Sequence, residues 1–251
     1  MSAVTEKKQR AGFLDEWRGV ALLCMLWYHT AYDLWAMFGV PLPLFTSPFY
    51  VNFQKFIGYS FILISGISCS YSRNNLRRGL FCFGCGLIMT VGTAVAMPSQ
   101  LILFGVLHFL GAAMMIYALL RKLLDKISTA WGLRLSLLLF LLFQNVSRGW
   151  IGFGPARLML PAFLYRTNLL FPLGFFGPNF SSSDYYPLLP WLFLFLFGAF
   201  WGRLWKAGKM PLFVYETHIK PLAYLGRHTI FVYLIHQPVI YGVLMVIFTL
   251  I

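Results

Sequence analysis

Residues 17–38 read WRGVALLCMLWYHTAYDLWAMF. A stretch of about 20 mostly apolar residues is the length of one membrane-crossing helix, and this run has that length. It also carries His29 and Asp33, two ionisable groups that lipid makes costly. Four residues apart, they share one face of a helix, one turn from each other. The same stripe runs back through Met25, Leu22, Arg18 and Asp15. The first helix therefore has a polar group at each end of one face.

The rest of the chain repeats the pattern. Further apolar runs cover Val51–Tyr71, Leu80–Met97, Leu101–Leu120, Trp131–Val146, Leu188–Trp205 and Leu225–Ile251. Of the 251 residues, 59% are hydrophobic and only 11% charged, against about 25% charged in soluble domains. The fold class that follows is an all-α polytopic membrane protein. Its expected form is a bundle of about seven to eight transmembrane helices, built as a single integral-membrane domain over 1–251.

Net charge is +13, and its distribution explains it. The segments EKKQR (6–10), SRNNLRR (72–78), RKLLDK (121–126) and GRLWKAGK (202–209) are basic, whereas GVPLPLFTSP (39–48) and MPSQ (97–100) carry no charge. Basic loops mark the cytoplasmic side, so the N-terminus is expected to be cytoplasmic. This accounts for the charge without nucleic acid, and no basic stripe alternates with stacking aromatics. The N-terminus has no small-residue cleavage site after a short apolar core, so the first helix is expected to be retained.

Residues 147–187 fit no span. They hold Arg148, Arg157 and Arg166 among prolines and glycines, as in GFGPARLMLPAFLYRTNLLFPLGFFGPNF (152–180). Irregular backbone at membrane depth is tolerated only when buried in protein or lining a cavity. An outer-side or re-entrant segment packed on the bundle is expected.

Other polar residues inside the runs are His108 in FGVLHFLG and His236, followed by Gln237 and Pro238, in LIHQP. Three histidines on three helices of one small bundle suggest a shared site. An aspartate can hold an imidazole in one tautomer, as in a catalytic triad, which would make Asp33 the orienter of His29. Arg18, Arg73, Arg77 and Arg78 read either as cytoplasmic anchors or as ligands for an anionic phosphate. Asp184, in SSSDYYPLLPW, reads as a cap for the helix after it or as an outer-side substrate contact. Ser65 and Gly66 suit close helix approach, and Ser65 lacks the turn context of a nucleophile. CFGC at 82–85 has no second ligand pair, so Cys24, Cys69, Cys82 and Cys85 read as buried apolar residues and no metal is expected.

Five stretches in order carry a family resemblance: FLDEWRGVALLCMLWYHTAYDL, FILISGISCSYSRNNLRRG, LILFGVLHFLG, DYYPLLPWLFLFLFGAFWG and LGRHTIFVYLIHQPV. They resemble the heparan-α-glucosaminide N-acetyltransferase-like family, transmembrane acyltransferases with many bacterial members. The resemblance implies transfer of acetyl from cytosolic acetyl-CoA to an amino or hydroxyl group of a sugar, glycan or lipid-linked acceptor at the far side. It makes His29 the general base or acyl carrier, with Asp33 beside it. Arg18, Arg73, Arg77 and Arg78 would hold coenzyme A phosphates, and His108, Asp184, His236 and Gln237 would line the acceptor side. It also implies a multi-pass protein of a bacterial inner membrane, in contact with lipid and compatible with a homodimer. The competing reading is a transporter or flippase with a His/Asp proton relay, which predicts paired broken helices in inverted repeats. No such symmetry is found.

Overall fold

A computed structural model describes residues 11–250. The eight helices of this region are α1 Gly12–Ala36, α2 Pro48–Cys69, α3 Asn75–Ala96, α4 Val106–Leu124, α5 Thr129–Leu142, α6 Leu188–Lys206, α7 Lys220–Arg227 and α8 Thr229–Leu250. The basic run at 6–10, and with it the side on which the chain begins, lies outside the described residues.

Five helical stretches are long and apolar enough to cross a membrane: Asn75–Ala96, Val106–Leu124, Thr129–Arg148, Leu188–Lys206 and Thr229–Leu250. α1 and α2, of 25 and 22 residues, match the length but not the hydropathy. Asp15, Glu16, Arg18, His29 and Asp33 dilute the first, and Asn52, Gln54 and Lys55 the second. The short run at 131–146 is α5 extended by a 3-10 turn at Val146–Arg148. The last run divides in two, because His228 ends α7 before Thr229 begins α8.

The chain clusters into two compact units, Met1–Ile64 with Gly208–Ile251, and Ser65–Ala207. In the first, α1 is the spine. Its polar end receives α7 almost backbone to backbone. A Cβ on Gly19 would lie 2.2 Å from the Leu222 carbonyl, and one on Gly226 only 1.8 Å from that of Asp15. Glu16, 5% exposed, fixes the approach. Its Oε1 accepts from the backbone N–H of His218 and, at 2.6 Å, from that of Ile219. Midway, Ala21, Leu22 and Met25 pack with Ile57 and Phe61, and with Val232 and Tyr233 of α8.

In the second unit, α3 and α4 form an antiparallel pair with glycines at the seam. A Cβ on Gly79 would lie 2.8 Å from the Gly111 carbonyl, and one on Gly111 would lie 2.5 Å from the Phe83 nitrogen. A Cβ on Gly66 would collide with the Phe195 carbonyl of α6, the small-residue contact that ILISGIS suggests. Both ends of α4 are satisfied from afar. At its N-terminus, Gly105 offers no side chain, and Asp184 Oδ2 accepts the Val106 N–H at 2.9 Å. Ser182 Oγ accepts from Leu103 N at 2.9 Å, and the Ser183 and Tyr186 amides donate to the Leu101 and Phe104 carbonyls. Phe104 sits at φ 57, a left-handed conformation costly for a bulky residue, and this stitching holds it there. At the C-terminus, Arg203 donates to the Leu124 and Ile127 carbonyls at 3.0 and 2.9 Å and to Asp125 Oδ1 at 3.2 Å. Asp184 is thus a helix cap, as its sequence context suggests, but for α4. Its own following helix, α6, starts at Pro187 with no side-chain cap.

Residues 149–187 contain no helix long enough to span. They form a two-stranded antiparallel hairpin, β1 Trp150–Phe153 and β2 Ala156–Met159, and two 3-10 turns.

Asp184→Ala should lower the thermal unfolding midpoint in detergent by the loss of a cap, about 1 kcal/mol. Asp184→Asn, which keeps the acceptor, should recover most of it. An unchanged midpoint for Asp184→Ala, with acceptor use lost, would reassign the residue to substrate.

Candidate active site

His29 and Asp33 lie in the second half of α1, and His236 and Gln237 lie in the middle of α8. The two helices bring all four together. The His29 and His236 rings are 4.7 Å apart between centroids, inclined at 60°. Gln237 Nε2 donates to Asp33 Oδ1 at 2.7 Å. Asp33 is fully buried and His236 is 5% exposed, whereas His29 and Gln237 are half-buried.

The expected Asp33–His29 hydrogen bond is replaced by this one. Side chains one helical turn apart start about 5–6 Å from each other. The carboxylate is turned across to α8 instead, where the Gln237 amide N–H meets it.

The hydrogen-bond roles follow from elementary inventory. A carbonyl oxygen only accepts, so the 2.6 Å contact from His236 Nδ1 to the Tyr233 carbonyl places a proton on Nδ1. The neutral ring then presents Nε2 as a lone pair. A carboxylate also only accepts, so Gln237 meets Asp33 through its NH₂ and presents Oε1 elsewhere. Asp33 Oδ2, His236 Nε2 and Gln237 Oε1 are all buried without a hydrogen-bond partner. All three are acceptors. Each unmet buried polar atom costs about 1–3 kcal/mol, so three on this helix pair suit a ligand that brings donors.

Of the other sequence candidates, Arg18 belongs to the same unit, and Arg73, Arg77, Arg78, His108 and Asp184 belong to the second. Arg18 is on α1, ion-paired to Asp15 at 2.9 Å. Arg73, Arg77 and Arg78 are exposed at the α2–α3 turn. Arg77 and Arg78 occupy the first turn of α3, where no acid is present. A helix N-terminus is itself positive, so two arginines there suit an anion.

His108 is in the second unit, 4% exposed, and its surroundings are those of a bolt. Thr90 Oγ1 donates to the Ile102 carbonyl at 2.7 Å and so accepts from His108 Nε2 at 3.3 Å. A Cβ on Gly86 would be 2.8 Å from His108 Nδ1, so the ring fills the α3–α4 seam. Sequence reading did not find Gly86, Thr90 or Arg203 in these roles, since each depends on a partner at least 18 residues away. All four cysteines are free. Among the described residues no three His, Cys, Asp or Glu groups are placed to hold a metal.

Residues 10–238 match the family described as heparan-alpha-glucosaminide N-acetyltransferase, catalytic. The chain belongs to that family. The match runs through both units and takes in every candidate residue above. No curated protein and no solved structure matches the chain. Membership in the heparan-alpha-glucosaminide N-acetyltransferase family, with five apolar helices long enough to span, makes this an integral membrane protein.

Replacing Gln237 by Leu removes the one hydrogen-bond partner of the Asp33 carboxylate among the described residues. It should destabilise the protein by about 1–3 kcal/mol or more, because a buried acid is left unpaired. The Asp33→Leu/Gln237→Leu pair should recover much of that in a double-mutant cycle read by thermal unfolding. Strict additivity would mean the bond is not formed.

Proposed function

We propose that this protein is a membrane-embedded N-acyltransferase. It takes an acetyl group from acetyl-CoA and passes it to a primary amine, at a site built by His29, Asp33, His236 and Gln237. The observation that carries this reading is the set of three unpartnered buried acceptors. A protonated amine offers three N–H donors and a positive charge that suits the carboxylate. A hydroxyl offers one donor, so the set favours N- over O-acylation.

The roles follow. Asp33 Oδ2 and Gln237 Oε1 hold the ammonium. His236 Nε2 takes one proton and frees the nitrogen lone pair. The amine then attacks the thioester carbonyl, the C–N bond forms, the C–S bond breaks and coenzyme A leaves as its thiol, with one net proton released. Sequence reading gives the base to His29; the Nδ1 contact to the Tyr233 carbonyl supports His236 in that role. His29, half-buried against His236, would then face the acetyl group. Positioned imidazole bases contribute about 10²–10⁴-fold.

Arg77 and Arg78 at the start of α3, with Arg73, are the proposed contacts of the coenzyme A phosphates, and Arg18 is a further candidate. Positive-inside placement of these loops supports a cytosolic donor and a far-side acceptor. An amino sugar of a glycan or lipid-linked carrier in a bacterial inner membrane fits the family and the site.

Purified protein in detergent, given acetyl-CoA and glucosamine, should release free thiol. Glucose in place of glucosamine should release none above background. His236→Ala should lower the rate about 10²–10⁴-fold. Arg77→Ala should raise the acetyl-CoA KM about tenfold, as for one lost charge-assisted bond, with kcat little changed. Equal thiol release with glucose and glucosamine would overturn the amine assignment.

A further inference from the structure

Residues 150–173 form a surface that the active-site reading leaves unused. β1 and β2 pair in the register Trp150↔Met159, Ile151↔Leu158, Gly152↔Arg157 and Phe153↔Ala156. Gly154, at φ +47, and Pro155 make the two-residue turn, with glycine where a positive φ is needed. Alternation puts Ile151, Phe153, Ala156 and Leu158 on one face, which is wholly apolar. Trp150, Arg157 and Met159 share the other. Gly152 leaves room opposite Arg157, whose guanidinium lies 5.9 Å from the Trp150 ring centre.

The apolar groups are not buried. Leu158 and Met159 are each 64% exposed, and Leu169, in the turn that follows, is 84% exposed. Arg148, Arg157 and Arg166 are exposed as well. From Lys126 to Ser183 the sequence contains no Asp or Glu, so no carboxylate within the segment answers them.

Water does not suit a continuous apolar surface of this kind. The hydrocarbon core does not suit it either, because a two-stranded hairpin has open edges whose backbone groups lipid cannot satisfy. The layer between them does. The headgroup region hydrates backbone, accepts apolar side chains, favours Trp and Tyr and carries phosphates for arginine. The segment also begins where the apolar stretch Thr129–Arg148 ends, and residues 182–186 are stitched to the start of α4, so it borders the ends of spanning helices.

We infer that residues 150–173 are an interfacial anchor that lies on the bilayer surface and binds anionic phospholipid headgroups. The apolar hairpin face and Leu169 enter the interface, and Arg148, Arg157 and Arg166 pair with lipid phosphates. This stands apart from the acyl-transfer reading and requires only that the helices span.

Spin labels at Leu158→Cys and, separately, Leu169→Cys test it in the full chain. Cys24 is replaced by Ala, and the three other cysteines are buried. The protein is reconstituted in phosphatidylcholine vesicles with and without phosphatidylglycerol. Relative collision with oxygen and with a water-soluble nickel chelate gives label depth. With phosphatidylglycerol, both labels should sit roughly 5–10 Å below the phosphates, the depth of interfacial segments. Arg148→Gln/Arg157→Gln/Arg166→Gln should make them shallower there and leave them unchanged in phosphatidylcholine alone. Labels as accessible to nickel as free spin label, or a depth indifferent to both lipid charge and the arginines, would overturn the inference.

Discussion

A fully buried carboxylate in a helix of a membrane protein must be answered, and Gln237 answers Asp33 across 2.7 Å. That bond ties α1 to α8 at the one level where both carry histidine. It turns Gln237 so that its carbonyl oxygen is free, and it holds His236 beside His29. The other end of α1 is fixed as firmly, by Glu16 on the backbone before α7 and by Gly19 and Gly226 at backbone contact. With both ends pinned, α1 has little freedom to rotate. The orientation of the site is therefore a property of the helix packing and not of a loop. Deep in a low-dielectric setting, an unmet acceptor is costly. Three of them in one cluster are the kind of cost that a binding site carries.

The second unit obeys the same constraint at its helix ends. Lipid supplies no hydrogen bonds, so terminal N–H and C=O groups need side chains. α4 receives Asp184 at one end and Arg203 at the other, both about eighty residues away in sequence. Between those ends, glycine seams allow the backbones to approach. His108 belongs to that packing, wedged on Gly86 and bonded to Thr90. Its Nδ1 is also a buried acceptor without a hydrogen-bond partner.

The sequence made legible what is local. Five of the seven apolar runs hold helices long and apolar enough to span, and the four-residue spacing puts His29 and Asp33 on one face, because helical periodicity needs no partner to be read. Basic loops and the family stretches are local too. What escaped is non-local. Asp33 was read toward His29, its neighbour on the helix, when its partner is 204 residues away. Asp184 was read toward α6, next in the chain, when it caps α4. The hairpin turn at Gly154–Pro155 is a local signal, but its strands are only four residues each, too short for alternation to stand out from the surrounding apolar residues.

In the proposed reaction His236 waits with a proton on Nδ1 and a bare Nε2 directed at the acceptor amine. ¹⁵N NMR of histidine-labelled protein reads this directly, with the His236 signals assigned by their loss in His236→Gln. A neutral ring protonated at Nδ1, whose Nε2 shift moves when glucosamine is added, is the predicted result. A ring protonated at Nε2 and indifferent to the amine would contradict it.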